Sequence, residues 1–390
     1  MHQARSATET THTSSVPRAR TNNNALDTVT RLLAKADVRI NGDRPWDLRF
    51  HHPDTASRIL ARGSLGLGES YMDGWWDCSQ LDEFICRVLK ARLDHEVNGG
   101  LAIAALRAKL FNLQSMRRAW QVGQQHYDLG NDFFESMLDP HMAYTCGYWA
   151  EADTLAEAQT AKLDLICRKL GLEPGMRLLD IGCGWGSLML HAAKEYGVEC
   201  VGVTISKEQA EFGAERSKGL PVEFKLTDYR KIDGTFDRIA SVGMFEHVGG
   251  KNYETYFDVA RQVLADDGLF LLHTIGKNQR GTPTDPWIER YIFPNGALPS
   301  LGEIADTVEP YFITEDVHNF GADYDRTLMA WHANFEAAWP RFSERYGKRF
   351  YRMWRYYLLA CAGTFRARTT QLWQLVLSPT GTPGGYRCPR

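Results

Sequence analysis

No run in this sequence approaches the roughly 18 apolar residues that a bilayer-crossing helix needs, so a membrane-spanning chain is excluded. The mean hydropathy of -0.37 agrees. Paired cysteine motifs are also lacking. Cys78, Cys86, Cys146, Cys167, Cys183, Cys200, Cys361 and Cys388 form no CxxC pair and no Cys/His spacing of a zinc site. No metal is therefore expected, and the cysteine usage suits a reducing compartment. Net charge is small, -3 in 390 residues, which argues against bulk nucleic-acid binding. The N-terminus has no apolar core of a secretory signal. It is rich in Arg, Ser and Thr and poor in acids, a faint likeness to a transit peptide, but a plain disordered tail and a cytoplasmic protein are the expectation.

What is present describes an ordinary globular chain: 44% hydrophobic, 24% charged, 15 prolines. Its length predicts two folded units. Residues 1–24 are too polar to order themselves. From Ala25 a helical period begins, with Leu26, Val29, Leu32 and Leu33 on one face. A smaller, mainly helical unit is expected over 25–120. Within it, Leu101, Ile103, Leu106, Leu110, Leu113 and Met116 interleave with Arg107, Lys109, Arg117 and Arg118. That is a basic amphipathic helix, suited to a membrane surface or to a core with a solvated basic face.

From about Arg177 the pattern changes to short apolar strands alternating with helices. Strands are expected at 177–181, 198–203, 222–226, 236–242 and 269–273, with a helix from Lys207 to about Lys218. This alternation predicts a doubly wound, Rossmann-like α/β domain with a mainly parallel sheet. It is assigned to residues 121–379, with 380–390 as a flexible tail.

The turn after the first of these strands reads Asp180-Ile181-Gly182-Cys183-Gly184-Trp185-Gly186. Its GxGxG spacing is not the dinucleotide GxGxxG, and no Lys-Ser pair follows to make a phosphate loop. An acid two residues before the first glycine suits an amine-bearing ligand, and S-adenosylmethionine fits. The end of the second strand carries Gly202-Val203-Thr204-Ile205-Ser206 where a dinucleotide site expects an acid. Thr204 and Gln209 are then candidate nucleoside contacts. Asp228, beside Tyr229 and Arg230, is placed for an adenine amino group, or else it caps the turn that follows.

These motifs, with Phe111-Asn112-Leu113-Gln114-Ser115, His126-Tyr127-Asp128-Leu129-Gly130-Asn131-Asp132 and the segments 63–76, 241–249, 270–276, 291–296, 319–324 and 360–368, make the chain resemble the bacterial cyclopropane-fatty-acyl-phospholipid synthases over about residues 27–378. The resemblance implies methyl transfer from S-adenosylmethionine to a cis double bond of a phospholipid acyl chain, a carbocation, and ring closure after loss of a proton. Such chemistry needs a positioned sulfonium, an apolar slot without water, and a base. The family's base is a bound bicarbonate, and its site falls here on Cys146, Glu246, His273, the backbone of Ile275, and Tyr324. Tyr144 and Thr145 resemble the cofactor-lid contacts, and Gly182, Gly184, Gly186, Thr204 and Gln209 the cofactor cradle. Independently of the resemblance, Glu246 follows the fourth strand and His273 ends the fifth, so both are expected at the carboxyl edge of the sheet, where open α/β sheets bind ligands.

Cys361 is the cysteine traditionally marked in this family. No covalent intermediate is needed and no His adjoins it in sequence, so it is read as shaping the pocket. Thr145 and Gly147 around Cys146, and Ser187 after the glycine turn, depart from the family pattern in ways that touch substrate fit. Finally, residues 341–368 set Arg341, Arg345, Lys348, Arg349, Arg352, Arg355, Arg366 and Arg368 against Glu344 alone, among Tyr346, Phe350, Tyr351, Trp354, Tyr356 and Tyr357. This patch predicts docking to anionic lipid rather than nucleic acid; its bland reading is a solvated face with inward aromatics. The expected partners are unsaturated phospholipids at the inner membrane surface, with a homodimer left open. The competing functions are an alkene methyltransferase yielding a branched or methylene chain, a silent lipid-binding relative, and a soluble small-molecule methyltransferase.

Overall fold

The computed structural model describes residues 18–93 and 129–390. The basic stretch 101–120, the segment 111–115 and residues 126–128 lie outside the described residues. The first described element is α1 (Arg18–Lys35), which begins inside the stretch expected to be a tail. A short antiparallel pair, β1 (Arg49–Phe50) and β2 (Trp76–Asp77), brackets α2 (Thr55–Met72), and α3 (Leu81–Lys90) follows. Next come α4 (Asn131–Met137) and α5 (Leu155–Leu170). Helix α5 starts at a reciprocal Thr154–Glu157 capping box and stops at Gly171 in the left-handed conformation, two local signals that fix its length.

The sheet is built from β3 (Arg177–Ile181), β4 (Glu199–Thr204), β5 (Val222–Leu226), β6 (Phe236–Val242), β7 (Leu264–Lys277), β8 (Ile313–Asn319) and β9 (Thr370–Ser378). Their order is β5-β4-β3-β6-β7-β9-β8. The first five are parallel, and β9 runs antiparallel between β7 and β8. The crossovers include α6 (Ser187–Tyr196), α7 (Lys207–Arg216) and α8 (Tyr253–Val263). Further helices are α9 (Pro286–Tyr291), α10 (Leu301–Val308) and α11 (Asp323–Arg366). The fold is the doubly wound class expected. Strand alternation supplies its two cores. Leu178, Leu271 and Val376 pack with α5 and α6, while Leu179, Leu272 and Leu375 pack with α8 and α10. Each such side chain contributes about 1.5–3 kcal/mol on burial.

Among the described residues, the N-terminal helices form no separate core. Leu33, Trp76, Phe84, Trp354, Tyr356 and Leu359 belong to one cluster, which α11 shares with α1–α3. Helix α11 spans 44 residues and changes direction at Gly347, whose φ of 72° no helix contains. The basic and aromatic patch of 341–368 is largely spent in this contact. Arg345 pairs with Asp132, Arg349 with Asp73, Arg352 with Asp77, and Arg366 with Asp325 and Asp82. Phe350 and Trp354 stack at 5.8 Å and both meet Phe133 edge-on. This corrects the expectation of a lipid-docking patch here: most of these groups face partners inside the chain. Residues 380–390 also lie against the domain, with Tyr386 donating to the Lys169 carbonyl and Arg390 paired with Asp316.

Candidate active site

Strand order reverses beside β3, so the carboxyl ends of β3 and β6 flank a crevice. The glycine turn fills it with backbone. Gly182, Gly184 and Gly186 all have positive φ, between 55° and 84°. A β-carbon on Gly182 would strike Met244 and one on Gly186 would strike Phe224, but one on Gly184 would meet open space. Gly184 thus leaves room for a ligand, while its neighbours close the packing. A small cavity of about 90 Å³ lies here, lined among others by Tyr144, Thr145, Asp180, Gly182, Gly184 and Gln209.

Asp180 is buried, and its Oδ1 has no hydrogen-bond partner. Burial pushes its carboxyl up to about 7, against the pull of the Lys162 ammonium. Lys162 is itself buried, lowered to about 8 by desolvation, and donates to Thr145 Oγ1 at 3.1 Å. An orphaned carboxylate oxygen at a bare glycine turn fits the amine of S-adenosylmethionine.

Tyr144, Thr145 and Gly243 line this cavity and also a second, larger chamber of about 310 Å³. Glu246, His273, Ile275, Tyr324 and Cys361 line that chamber too. Glu246 sits in the 3-10 turn Phe245–His247, held after β6 by Gly243, whose N–H bonds the His273 carbonyl. Its Oε1 accepts from Ile275 N at 2.7 Å, so that backbone amide is already engaged. Its Oε2 is buried without a partner, and desolvation lifts the carboxyl to about 7.

His273 stands in a row across the sheet, Val242–His273–Gln374. Gln374 Nε2 lies 3.2 Å from His273 Nδ1. With the amide donating, Nδ1 is the acceptor and Nε2 carries the proton. That Nε2 is buried and unpaired, and burial keeps the imidazole neutral, its pKa well below the usual 6.5. Tyr324 is buried against Phe365, ring centroids 4.5 Å apart, and its phenol is held protonated by burial.

A family model described as mycolic acid cyclopropane synthetase matches residues 114–375. The chain belongs to this family. It is 57% identical over 363 residues to the cyclopropane-fatty-acyl-phospholipid synthase of Escherichia coli strain K12, covering 92% of this chain and 94% of that protein. Among solved structures it resembles mycolic acid cyclopropane synthase CmaA1 complexed with SAH and CTAB, with TM-score 0.63 and 35% identity over 66% of this chain and 97% of the other. Coclaurine N-methyltransferase bound to N-methylheliamine and SAH matches with TM-score 0.66 and 25% identity, covering 80% of this chain and 98% of the other. A cyclopropane synthetase of this kind is an S-adenosylmethionine-dependent methyltransferase.

For a cyclopropane synthetase, the structure brings the expected residues together unevenly. Glu246, His273, Ile275, Tyr324 and Cys361 share one chamber. Cys146 is fully buried but is not among that chamber's lining; its thiol donates to the Gly147 carbonyl at 3.2 Å and lies 3.9 Å from Thr327 Oγ1. Thr327 also receives Gly147 N and Trp149 Nε1, so this cysteine sits where the 144–149 loop is tied to α11. Thr204, Gly186, Asp228, Tyr229 and Arg230 do not line the small cavity. Asp228 caps the turn, accepting from Arg230 N and gripping its guanidinium at 2.7 and 2.8 Å, which is the structural reading of that residue. Thr204 Oγ1 lies 3.2 Å from Gln209 Oε1. Cys361 is half-buried with its thiol pushed up to about 12, a poor nucleophile. Sequence reasoning missed Lys162 and Gln374. A lysine on the buried face of α5, between Ala158 and Ile166, was the available signal for the first.

Proposed function

We propose that this chain moves the methyl group of S-adenosylmethionine onto a cis double bond of a membrane phospholipid's acyl chain, where loss of a proton closes a cyclopropane ring. The observation that carries this reading is a pair of orphan buried atoms, Glu246 Oε2 and His273 Nε2, in an apolar chamber that meets the glycine turn at Tyr144, Thr145 and Gly243. S-Adenosylmethionine, when bound, supplies an electrophilic methyl. Asp180, Gly184 and Gln209 are the groups that would hold it. An alkene is a weak nucleophile and its cation is trapped by water, so the chain's first task is exclusion: Leu298, Leu328 and Phe365 wall the chamber. The second is to lower the cation's energy without attacking it, a task suited to the aromatic residues Tyr144, Phe293, Tyr324 and Tyr357 that line the chamber.

The third task is the proton. His273 is neutral and cannot repel the cation, but its Nε2 is a donor in the tautomer that Gln374 selects. Glu246, lifted to about 7 by desolvation, is able to carry a proton and act as a donor as well. Together with the Tyr324 hydroxyl these form a small, donor-rich wall that fits a singly charged oxyanion. Bicarbonate, when bound, supplies the base there, and Glu246, His273 and Tyr324 would hold it.

We take the chain to work at the inner membrane surface as a peripheral cytoplasmic protein, with residues 25–120 giving lipid access to a methyltransferase domain at 121–379. No helix among the described residues is long and apolar enough to cross a membrane. In support of docking, Arg58, Arg62 and Arg290 all pair with Glu69 among the described residues. Arg62 and Arg290, both exposed, share the single carboxylate of Glu69 with Arg58, and the surplus positive charge attracts anionic headgroups.

The test is incubation of the purified protein with S-adenosylmethionine and vesicles of cis-unsaturated phospholipid, followed by mass spectrometry and proton NMR of the released fatty acids. A chain that gains one methylene and exchanges olefinic signals for high-field ring protons is the expected product. A methylated chain without a ring would replace this reading with a branching methyltransferase.

A further inference from the structure

The catalytic chamber is not the larger apolar space in the molecule. A second chamber of about 360 Å³ lies between the N-terminal helices and α11. The two share Pro283, Asp285, Ile288, Cys361, Thr364 and Thr369 as lining. The same side chains face both, so the partition is a single layer thick, and on the α11 side it consists of small residues. Its one charged member, Asp285, is occupied at its own helix start, accepting from Trp287 N and Ile288 N at 2.9 and 3.1 Å.

Beyond the partition the outer chamber carries no charged side chain among the described residues; its far walls are residues such as Leu33, Leu60, Phe84, Val88 and Leu89. Helices α1, α2 and α3, which supply these walls, precede residue 114, where the match to the family model begins. The outer chamber is therefore an addition to the matched catalytic body.

Resting on the function proposed above, we infer that the outer chamber receives the methyl-terminal segment of the reacting acyl chain, and that its walls select substrates by the length of chain beyond the double bond. A phospholipid offers two directions from its double bond. The carboxyl side leads to ester and phosphate groups, which need donors or cations. The methyl side is pure polymethylene, and a chamber without charge accepts only that. Continuity with the chamber that holds Glu246 and His273 puts this segment on the same chain that reacts. Cys361, Thr364 and Ile288 then form the neck, which accounts for a half-buried cysteine that the chemistry does not use.

The experiment narrows the outer chamber from two independent elements, with Leu60→Trp on α2 and Ala360→Leu on α11, in the full-length protein. Vesicles of myristoleoyl, palmitoleoyl and oleoyl phosphatidylethanolamine share the distance from carboxyl to double bond and differ only in the methyl-terminal segment. Palmitoleoyl and cis-vaccenoyl chains share that segment and differ on the carboxyl side. In both variants the oleoyl-to-myristoleoyl ratio of kcat/KM is expected to fall by at least about tenfold, while the palmitoleoyl-to-vaccenoyl ratio holds. Equal losses for all chains, no change in a folded variant, or movement of the palmitoleoyl-to-vaccenoyl ratio instead would overturn the inference. A wild-type protein that forms a ring on none of these chains would overturn the proposed function itself.

Discussion

The chamber beside the glycine turn and the chamber beneath the N-terminal helices meet at Cys361 and draw on the same apolar stock, yet their remaining walls differ. The inner one sets Glu246 Oε2 and His273 Nε2 into its surface without partners. The outer one has only apolar and uncharged groups beyond the shared partition. An unsatisfied buried polar atom costs about 1–3 kcal/mol, so the inner wall is a standing loss to the fold and the outer wall a gain. The loss is confined to the turn after β6 and to His273, which lies within β7 level with the last residue of β6, at the edge where the topology delivers ligands. That contrast underlies the proposed division between a surface for chemistry and a surface for fitting a chain.

The sharpest way to break the comparison is Glu246→Gln. If the inner wall holds the base, turnover should drop by about 10²–10⁴-fold, with cofactor affinity by calorimetry unchanged; near-normal turnover would remove the distinction between the walls. Next is Gln374→Leu, which touches no substrate but frees the His273 tautomer. A loss of about 10–100-fold is expected, accompanied by a changed imidazole nitrogen spectrum, which a merely structural role would not produce.

The third prediction concerns stability. Glu246 ionises near 7 in the fold against an ordinary 4.5, so the unfolded chain gives up that proton first. Stability therefore falls as pH rises from about 4.5 to about 7, by up to about 3 kcal/mol. Glu246→Gln escapes this loss. Its denaturation midpoint should exceed that of wild type well above pH 7, and the advantage should vanish near pH 4.5. The smallest effect is expected at Cys361→Ala, a loss below about tenfold in turnover, since a thiol raised to about 12 is no nucleophile. Abolished turnover there would contradict its place in the neck.

The features set by neighbouring residues were legible. Strand β3 and the glycine turn follow from local period and punctuation, and β6 from the same alternation, which places Glu246 at the sheet edge although the resemblance alone singled it out. Strand β7 was read only in its middle, and β9 not at all, because Leu372–Leu377 is a short buried apolar run that periodicity alone does not assign. Gln374 acts on His273 through a cross-strand register, which only the paired sheet creates. The arginines of α11 looked like a free surface because Asp73, Asp77, Asp82 and Asp132 lie far away in sequence. Likewise, the resemblance made Cys146 a candidate, and the structure turns its thiol to Gly147 and Thr327 through the packing of a loop on a distant helix.

The most direct test of the central claim, that Glu246 and His273 hold the oxyanion that takes the proton, is ring formation in buffer stripped of carbon dioxide, before and after bicarbonate is restored. The account predicts that the wild-type rate falls on stripping and recovers on addition, and that Glu246→Gln stays slow in both. A wild-type rate indifferent to bicarbonate would contradict it.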